Sequence, residues 1–380
     1  MTAAAHPSAA PDALAQTDWS AVPTPALTVD VRRLETNIAE AATTFGEAGI
    51  ILRPHFKTSK CLEVASRQRA AGAVGFTCST PAEVEALSAA GFTDLLWAHQ
   101  PVGPGKVGTA VSFARSHGLT LIADSVAVAE PIARQAGSGG EPIRYLLDVD
   151  TGQGRTGVDP RHAVATAEAI AALGGLGLAG VVTHEGHLSA HGADRDALDA
   201  AGAGVGVLLA QVAQALREAG FDCPVVSVGS TPGMRTAPFA PGVTEARPGT
   251  YVYFDANQVR LGSAGWQQCA SSVLTRVVSV NRPGNAIVDA GLKAMSSDAI
   301  SPVAGVGTVV DPSGDPLPGL EFRTANEEHG FLSGDTAALR VGDLLRIIPN
   351  HACGTSNMWS RLLAVHPDGA TEDWAIVARH

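Results

Sequence analysis

From Ile50 to Arg247 short apolar runs alternate with longer stretches whose apolar residues recur every three or four positions. The runs Ile50–Arg53, Val74–Thr77, Asp94–Ala98, Leu119–Ala123, Ile143–Val149, Leu178–Thr183, Val225–Val228 and Val243–Arg247 have the length and content of strands. The stretches Val31–Ala48, Pro81–Ala90, His162–Ala172 and Asp194–Ala219 carry the helical period. Eight strands with helical crossovers predict an α/β fold, a (β/α)8 TIM-type barrel, with a doubly wound open sheet as the alternative. After about residue 262 the helical period fades. Short β-branched runs at Ser272–Asn281, Ala286–Asp289, Leu344–Ile348 and Trp374–Ala378 are separated by Pro/Gly/Asp turns, which predicts a mostly antiparallel β-domain. The expected organisation is a disordered lead-in at residues 1–23, a barrel at 24–262 and the β-domain at 263–380, with Ala26–Val29 as a strand able to join the β-domain.

Composition narrows the function classes. The 380 residues carry a formal net charge of -11, which argues against nucleic acid or an anionic membrane as the main partner. No apolar run reaches the ~18 residues that span a bilayer. Met1–Asp18 has no Lys or Arg and does not resemble a signal peptide. The five cysteines are scattered and odd in number, so a reducing cytoplasm is expected rather than a disulfide framework.

Barrel enzymes place their working groups at the C-terminal ends of the strands. The first strand ends in Arg53-Pro54-His55-Phe56-Lys57-Thr58, where a lysine can have its pKa lowered and act as a neutral amine. The fifth runs into Asp148-Val-Asp-Thr-Gly-Gln-Gly-Arg155, a turn able to aim a guanidinium at an anionic oxygen. The sixth ends in Thr183-His184-Glu185-Gly186-His187, which reads either as a metal pair or as an acid–base site. Gly229-Ser230-Thr231 and Arg247-Pro248-Gly249-Thr250 follow the seventh and eighth strands, the usual barrel position for a phosphate. In the β-domain Pro349-Asn-His351-Ala-Cys353 follows an apolar strand. If that segment is extended, His351 and Cys353 share a face and suit an open site for a divalent ion, most naturally zinc.

These motifs, in this order, resemble one family. Arg53-Pro-His-x-Lys57-Thr, Asp148-x-Asp-x-Gly-x-Gly-Arg155-x-Gly, Ser227-Val-Gly-Ser-Thr-Pro, Arg247-Pro-Gly-x-Tyr-Val, Val288-Asp-Ala-Gly, Glu327-Glu-His-Gly and Pro349-Asn-His-x-Cys353 are similar to the fold-type III pyridoxal-phosphate family of D-threonine aldolases and metal-dependent, eukaryotic-type D-serine dehydratases. The resemblance runs from about Thr24 to the C-terminus and implies an alanine-racemase-like barrel plus β-domain, usually dimeric. It implies that Lys57 carries pyridoxal 5'-phosphate as a Schiff base. It further implies that His55, Arg155, Ser230, Thr231, Arg247, Gly249 and Thr250 contact the cofactor. His351 and Cys353 would hold a divalent metal, zinc with manganese, cobalt or magnesium as substitutes, at a β-hydroxyl.

The implied activity is that of a lyase on a small D-3-hydroxy amino acid, with Lys57 moving the α-proton and the metal polarising the hydroxyl. A dehydratase releases a 2-keto acid and ammonia; an aldolase releases glycine and an aldehyde. The His-x-Cys pair favours the dehydratase, because the aldolase branch tends to place Asp second. His187 is the residue that could serve an aldolase as hydroxyl base. A racemase commonly needs a tyrosine on the opposite face of the cofactor, and the three tyrosines, Tyr145, Tyr251 and Tyr253, all precede the predicted β-domain. A non-catalytic pyridoxal-phosphate-binding protein is the remaining alternative, disfavoured by the β-domain. Loops Trp97–Gln100 and Asn357–Trp359 are the candidates for reading the substrate's distal group.

Overall fold

The computed structural model describes residues 17–137, 139–301, 305–311 and 314–379. The chain divides into two compact units. One holds the described residues up to Asn37 with Val252–Val259 and Ala264–Ile376; the other holds Ile38–Tyr251, Arg260–Ser263 and the stretch from Val377. A single cut at residue 262 therefore does not describe the contacts: the first helix, Val31–Glu47 (α1), crosses the boundary, and the chain end returns to the second unit.

The second unit is the barrel. Its strands are β2 (Ile51–Leu52), β3 (Phe76–Cys78), β4 (Leu95–Trp97), β5 (Leu121–Ala123), β6 (Ile143–Asp148), β7 (Leu176–Val182), β8 (Val225–Val228) and β9 (Glu245–Ala246). All pair in parallel, and single bridges at His55–Thr77 and Leu96–Thr120 complete the ring from β2 to β3 and from β4 to β5. The crossovers are α2 (Leu62–Ala70), α3 (Pro81–Ala89), α4 (Pro104–His117), α5 (Val126–Ala136), α6 (Ala163–Ala171) and α7 (Arg195–Glu218). Their buried faces meet strand residues such as Phe76, Leu121 and Leu147 in one core. By length and composition α7 is long and apolar enough to cross a bilayer. Its Leu198, Val205, Leu209, Val212 and Leu216 are buried at helical spacing, as expected of a helix that packs on a barrel.

The first unit is a nine-stranded sheet in the order β11-β14-β13-β12-β15-β10-β1-β16-β17. The strands are β1 (Ala26–Asp30), β10 (Ser271–Arg282), β11 (Asn285–Val288), β12 (Gly307–Val310), β13 (Leu320–Ala325), β14 (Gly330–Gly334), β15 (Leu344–Pro349), β16 (Arg361–Val365) and β17 (Thr371–Ala375). The twelve-residue β10 is shared: its first half pairs with β1 and β15, and its second half with β11. That second pairing closes β10, β11, β14, β13, β12 and β15 into an antiparallel six-stranded barrel. Among the described residues, β1–β16 is the one parallel pairing in this sheet. Of the expected lead-in, residues 1–16 lie outside the described residues. Trp19 packs on Val365, and its carbonyl accepts a bond from Arg276 at 3.2 Å.

Candidate active site

The C-terminal ends of the barrel strands surround a cavity of about 290 Å3, lined by Lys57, Asp148, Arg155, His184 and Arg247 together with Ala98–Gln100. Lys57 lies on the turn after β2, and its backbone N–H points to His55 Nδ1 at 3.4 Å. The other ring nitrogen of His55 stands 3.4 Å from Ser79 Oγ. Burial, reinforced by the Lys57 and Arg247 charges, pushes the His55 imidazole well below its ordinary pKa. His184 behaves alike: burial and then Lys57 bring it down to about 3. Both rings are therefore neutral at pH 7. His184 Nδ1 donates to the Gly229 carbonyl, so its Nε2 is the acceptor nitrogen.

Arg247 is buried at the cavity wall. Its Nε donates to Ser227 Oγ at 2.7 Å and its Nη2 to the Thr183 carbonyl. Ser227 Oγ in turn donates to Glu245 Oε1 at 2.7 Å, and Glu245 Oε2 accepts from Arg53 Nε at 2.8 Å. Burial pulls the Arg247 pKa down, and Glu245, Glu185 and Asp148 oppose that. The interior charges are thus fixed in a bonded chain, without which a buried guanidinium would be costly.

The glycine-rich turn is held from beneath. Asp150 Oδ1 accepts the N–H groups of Gly152 at 2.9 Å and Gly154 at 3.1 Å. Thr156 Oγ1 donates to Asp148 Oδ2 at 2.9 Å, and the Gly157 N–H to Asp124 Oδ2 at 3.2 Å. Gly157 has φ +103°, and a Cβ there would stand 2.5 Å from the Asp150 nitrogen, so only glycine closes this turn. Gln100 Nε2 bridges Asp148 at 2.9 Å and Asp124 at 3.2 Å. Arg155 is thereby presented to the cavity from an exposed turn.

The segments after β8 and β9 form a close cradle. Ser230 Oγ accepts the Gly233 N–H at 3.1 Å, and Glu185 Oε2 accepts the Gly229 N–H at 3.0 Å. The buried Thr231 hydroxyl has no partner. A Cβ on Gly249 would lie 2.7 Å from Thr58 Oγ1 and 3.1 Å from His55 Cβ. Thr250 begins the short helical turn Thr250–Val252. A buried hydroxyl without an acceptor, beside a backbone that tolerates no side chain, fits an anionic group such as a phosphate. The cavity's lysine and two arginines fit the rest of a phosphorylated aldehyde cofactor.

His187 is placed differently. It lies on the short helical turn Gly186–His191 and packs on Gly152, where a Cβ would come within 3.2 Å of its Nε2; its buried Nδ1 has no partner. Of the two histidines, His184 lines the cavity wall.

In the sheet unit, the expectation of an extended His351–Cys353 is corrected. His351 is the extended residue before helix α8 (Ala352–Met358), and Cys353 lies in its first turn. The helix starts here because Asp255 Oδ2 accepts the Ala352 N–H at 2.9 Å. The two side chains still interact directly. His351 Nδ1 is 2.7 Å from Asp298 Oδ2, which orients the ring and leaves Nε2 as the ligand nitrogen. Burial disfavours charge on His351, but Cys353, Asp255 and Asp298 outweigh it and hold its pKa up at about 10. An imidazole beside a thiol, with a carboxylate bonded to the imidazole, fits a divalent cation. Among the described residues no group of three or more metal-ligating side chains occurs, so such a site would stay open to water or substrate. Trp359 Nε1 donates to the Ala294 carbonyl at 2.8 Å.

Asp124, Asp298 and Asp255 were not singled out from sequence. Asp124 ends an ordinary barrel strand, and the other two act on groups far from them in the chain. Tyr253, counted with the barrel in the sequence, belongs by contacts to the sheet unit and is fully buried.

The chain resembles known proteins over most of its length. Residues 29–257 match the family described as "Alanine racemase, N-terminal domain", and residues 270–365 match the "Putative serine dehydratase domain". The chain is 40% identical to a D-threo-3-hydroxyaspartate dehydratase of Delftia sp. (strain HT23), covering 92% of this chain and 96% of that protein. It is 32% identical to a D-threonine aldolase of Arthrobacter sp., covering 94% and 93%. A solved structure of a D-threo-3-hydroxyaspartate dehydratase, a cysteine-to-alanine mutant in the metal-free form, superposes with a TM-score of 0.88 at 38% identity, covering 93% of this chain and 97% of that one.

Proposed function

The chain belongs to the fold-type III pyridoxal-phosphate-dependent family of lyases that includes D-threonine aldolases and D-3-hydroxy amino acid dehydratases, and from that premise we propose that it is a metal-dependent dehydratase of a D-3-hydroxy amino acid. The substrate class proposed is D-threo-3-hydroxyaspartate, and the products a 2-keto acid and ammonia. One observation carries the reading: Lys57 and Arg155, distant in sequence, line one cavity at the barrel mouth. The 40% identity to a dehydratase of that substrate, above the 32% to an aldolase, supports the choice of outcome.

In this reading Lys57 holds pyridoxal phosphate, which supplies an electron sink beside the substrate's Cα. Arg155, His55 and Arg247 would contact the cofactor, and Ser230, Thr231, Gly249 and Thr250 would form the phosphate cradle. Lys57 Nζ, when uncharged, would be the base that takes a proton from the substrate's Cα. Burial holds the His184 and His55 imidazoles below their ordinary pKa, which makes them weaker bases than a free imidazole. His351 and Cys353 would hold a divalent ion, which would supply Lewis-acid chemistry for loss of a hydroxyl. An imidazole with a thiolate suits zinc, with manganese, cobalt or magnesium as substitutes. Loss of hydroxide needs that acid, whereas retro-aldol cleavage needs a base at the hydroxyl. His187, packed on Gly152, is the residue an aldolase would require. We propose a homodimer working in the cytoplasm.

The test is a panel of D- and L-3-hydroxy amino acids assayed for keto acid, ammonia, glycine and aldehyde. Keto acid with ammonia from the D-3-hydroxyaspartate alone is expected. Glycine with an aldehyde establishes the aldolase instead, and no turnover of any member overturns the lyase reading.

A further inference from the structure

Three residues beyond Lys57 the chain places a second lysine inside the protein. Lys60 is buried, with its side chain only 4% exposed, and its Nζ is 3.4 Å from Glu83 Oε1, itself 1% exposed. Its conformation is unusual. At φ 46° it adopts the left-handed region that non-glycine residues rarely enter, and such strain persists only where the surroundings enforce it.

The enforcing contacts can be traced. The Lys60 N–H bonds the Phe56 carbonyl at 2.9 Å, closing the turn that contains Lys57. The Val377 N–H donates to the Lys60 carbonyl at 2.8 Å, and Lys60 Nζ donates to the Ala378 carbonyl at 2.8 Å. Ala378 is also left-handed, at φ 54°. The returning chain end thus grips Lys60 by backbone and side chain at once.

Glu83 is fixed just as firmly. It lies in the first turn of α3, and its Oε2 accepts the Ser79 N–H at 2.7 Å. Burial pushes its carboxyl up from the ordinary range; the Ser79 N–H, then Lys60, then Lys57 pull it back. The carboxylate therefore faces two lysines, and Lys60 forms an ion pair with it. The other charged or titratable groups about Lys57 are His55 on its own turn, His184, and the Arg155, Asp148 and Arg247 of the cavity wall.

We propose that Lys60 is a positioning residue whose ammonium neutralises Glu83, so that the carboxylate holds the Lys57 turn in place without stabilising a charged Lys57. The proposal rests on Lys57 being the cofactor's lysine, because that role needs an uncharged amine. A carboxylate near an amine favours its protonated form, and a neighbouring cation disfavours it. Removing Lys60 therefore acts on Lys57 in one direction and removing Glu83 in the other. A merely structural pair would give two variants that fail alike.

The experiment uses the cofactor-free protein. Its lysines are acetylated at a series of pH values with isotopically labelled acetic anhydride, and the extent at Lys57 is read by peptide mass spectrometry. Lys60→Met is expected to move the Lys57 midpoint up by about one pH unit, and Glu83→Gln to move it down by a similar amount. The double variant should return near wild type, and Lys60→Arg should match it throughout. If Lys60→Met does not fold, the downward shift in the near-isosteric Glu83→Gln decides alone. Two single variants that shift the same way, or an unmoved midpoint in Glu83→Gln, overturn the proposal. Because the labelling needs no cofactor, its outcome is separate from whether Lys57 carries one, which reductive trapping in the wild-type protein determines.

Discussion

The Asp148 carboxylate and the Thr156 hydroxyl meet at 2.9 Å, and that bond ties the end of a buried barrel strand to the turn that carries Arg155. Gln100 donates to the same carboxylate oxygen from another strand end. Burial raises the Asp148 pKa, while the Thr156 and Gln100 bonds favour its charged form. Arg155 needs this support because its own side chain is exposed.

Thr156→Val should therefore weaken pyridoxal-phosphate binding several-fold by loosening Arg155, and Arg155→Ala should weaken it more. Fluorescence titration of the cofactor into apo protein measures both. The apo melting temperature should stay within a few degrees of wild type for Arg155→Ala, as for other exposed substitutions. A large fall would mean that Arg155 serves the turn and not the cofactor.

Metal removal should separate the two binding sites. Chelation, or Cys353→Ala, should abolish ammonia release and leave the visible absorbance of the bound cofactor intact. His187→Ala should cost less activity than either. If His187→Ala is the fatal change and the wild-type products are glycine and an aldehyde, the reaction is a retro-aldol cleavage.

The buried histidines predict an acid-labile fold. His184 is held at about 3 against an ordinary 6.5, and His55 is shifted the same way, both chiefly by burial. A histidine with a depressed folded pKa stabilises the protein fully above its unfolded pKa. That contribution is lost as pH falls from about 6.5 towards about 3, because the unfolded chain takes the proton first. The His184 contribution is on the order of a few kcal/mol. Melting temperatures of the apo protein should fall across this window, and His184→Gln should flatten the fall. A profile that is flat from pH 6.5 to 4 would contradict the assignment of a neutral, buried ring.

Much of this was legible before any coordinates. Val225–Val228 is the strand the apolar run predicts, and Lys57, Arg155 and Arg247 do share a cavity. What was not legible has physical causes. Leu320–Ala325 pairs well but buries only Phe322 fully, so its sequence lacks a strand's apolar alternation, and the six-stranded closure was missed with it. The helix after His351 begins with Ala-Cys-Gly-Thr-Ser, poor in strong helix formers after its first residue, and is fixed by a carboxylate nearly a hundred residues away. The run Trp374–Ala378 predicts one strand, but the strand is Thr371–Ala375, and Val377 and Ala378 instead bond Lys60.

Gly249 offers a test of the cradle. A methyl group there would meet Thr58 Oγ1 at 2.7 Å, too close to accept without movement of the Lys57 turn. Gly249→Ala should lower cofactor affinity at least several-fold and reduce binding of inorganic phosphate to the apo protein in parallel. Unchanged phosphate binding would place the anion elsewhere.

The most direct test of the account is where the cofactor is attached. The wild-type protein loaded with pyridoxal phosphate should be yellow and lose its visible band on borohydride reduction. Digestion and mass spectrometry should then find the pyridoxyl group on the peptide containing Lys57. Recovery of the adduct on Lys60 or Lys293, or no stable adduct at all, would contradict the site described above.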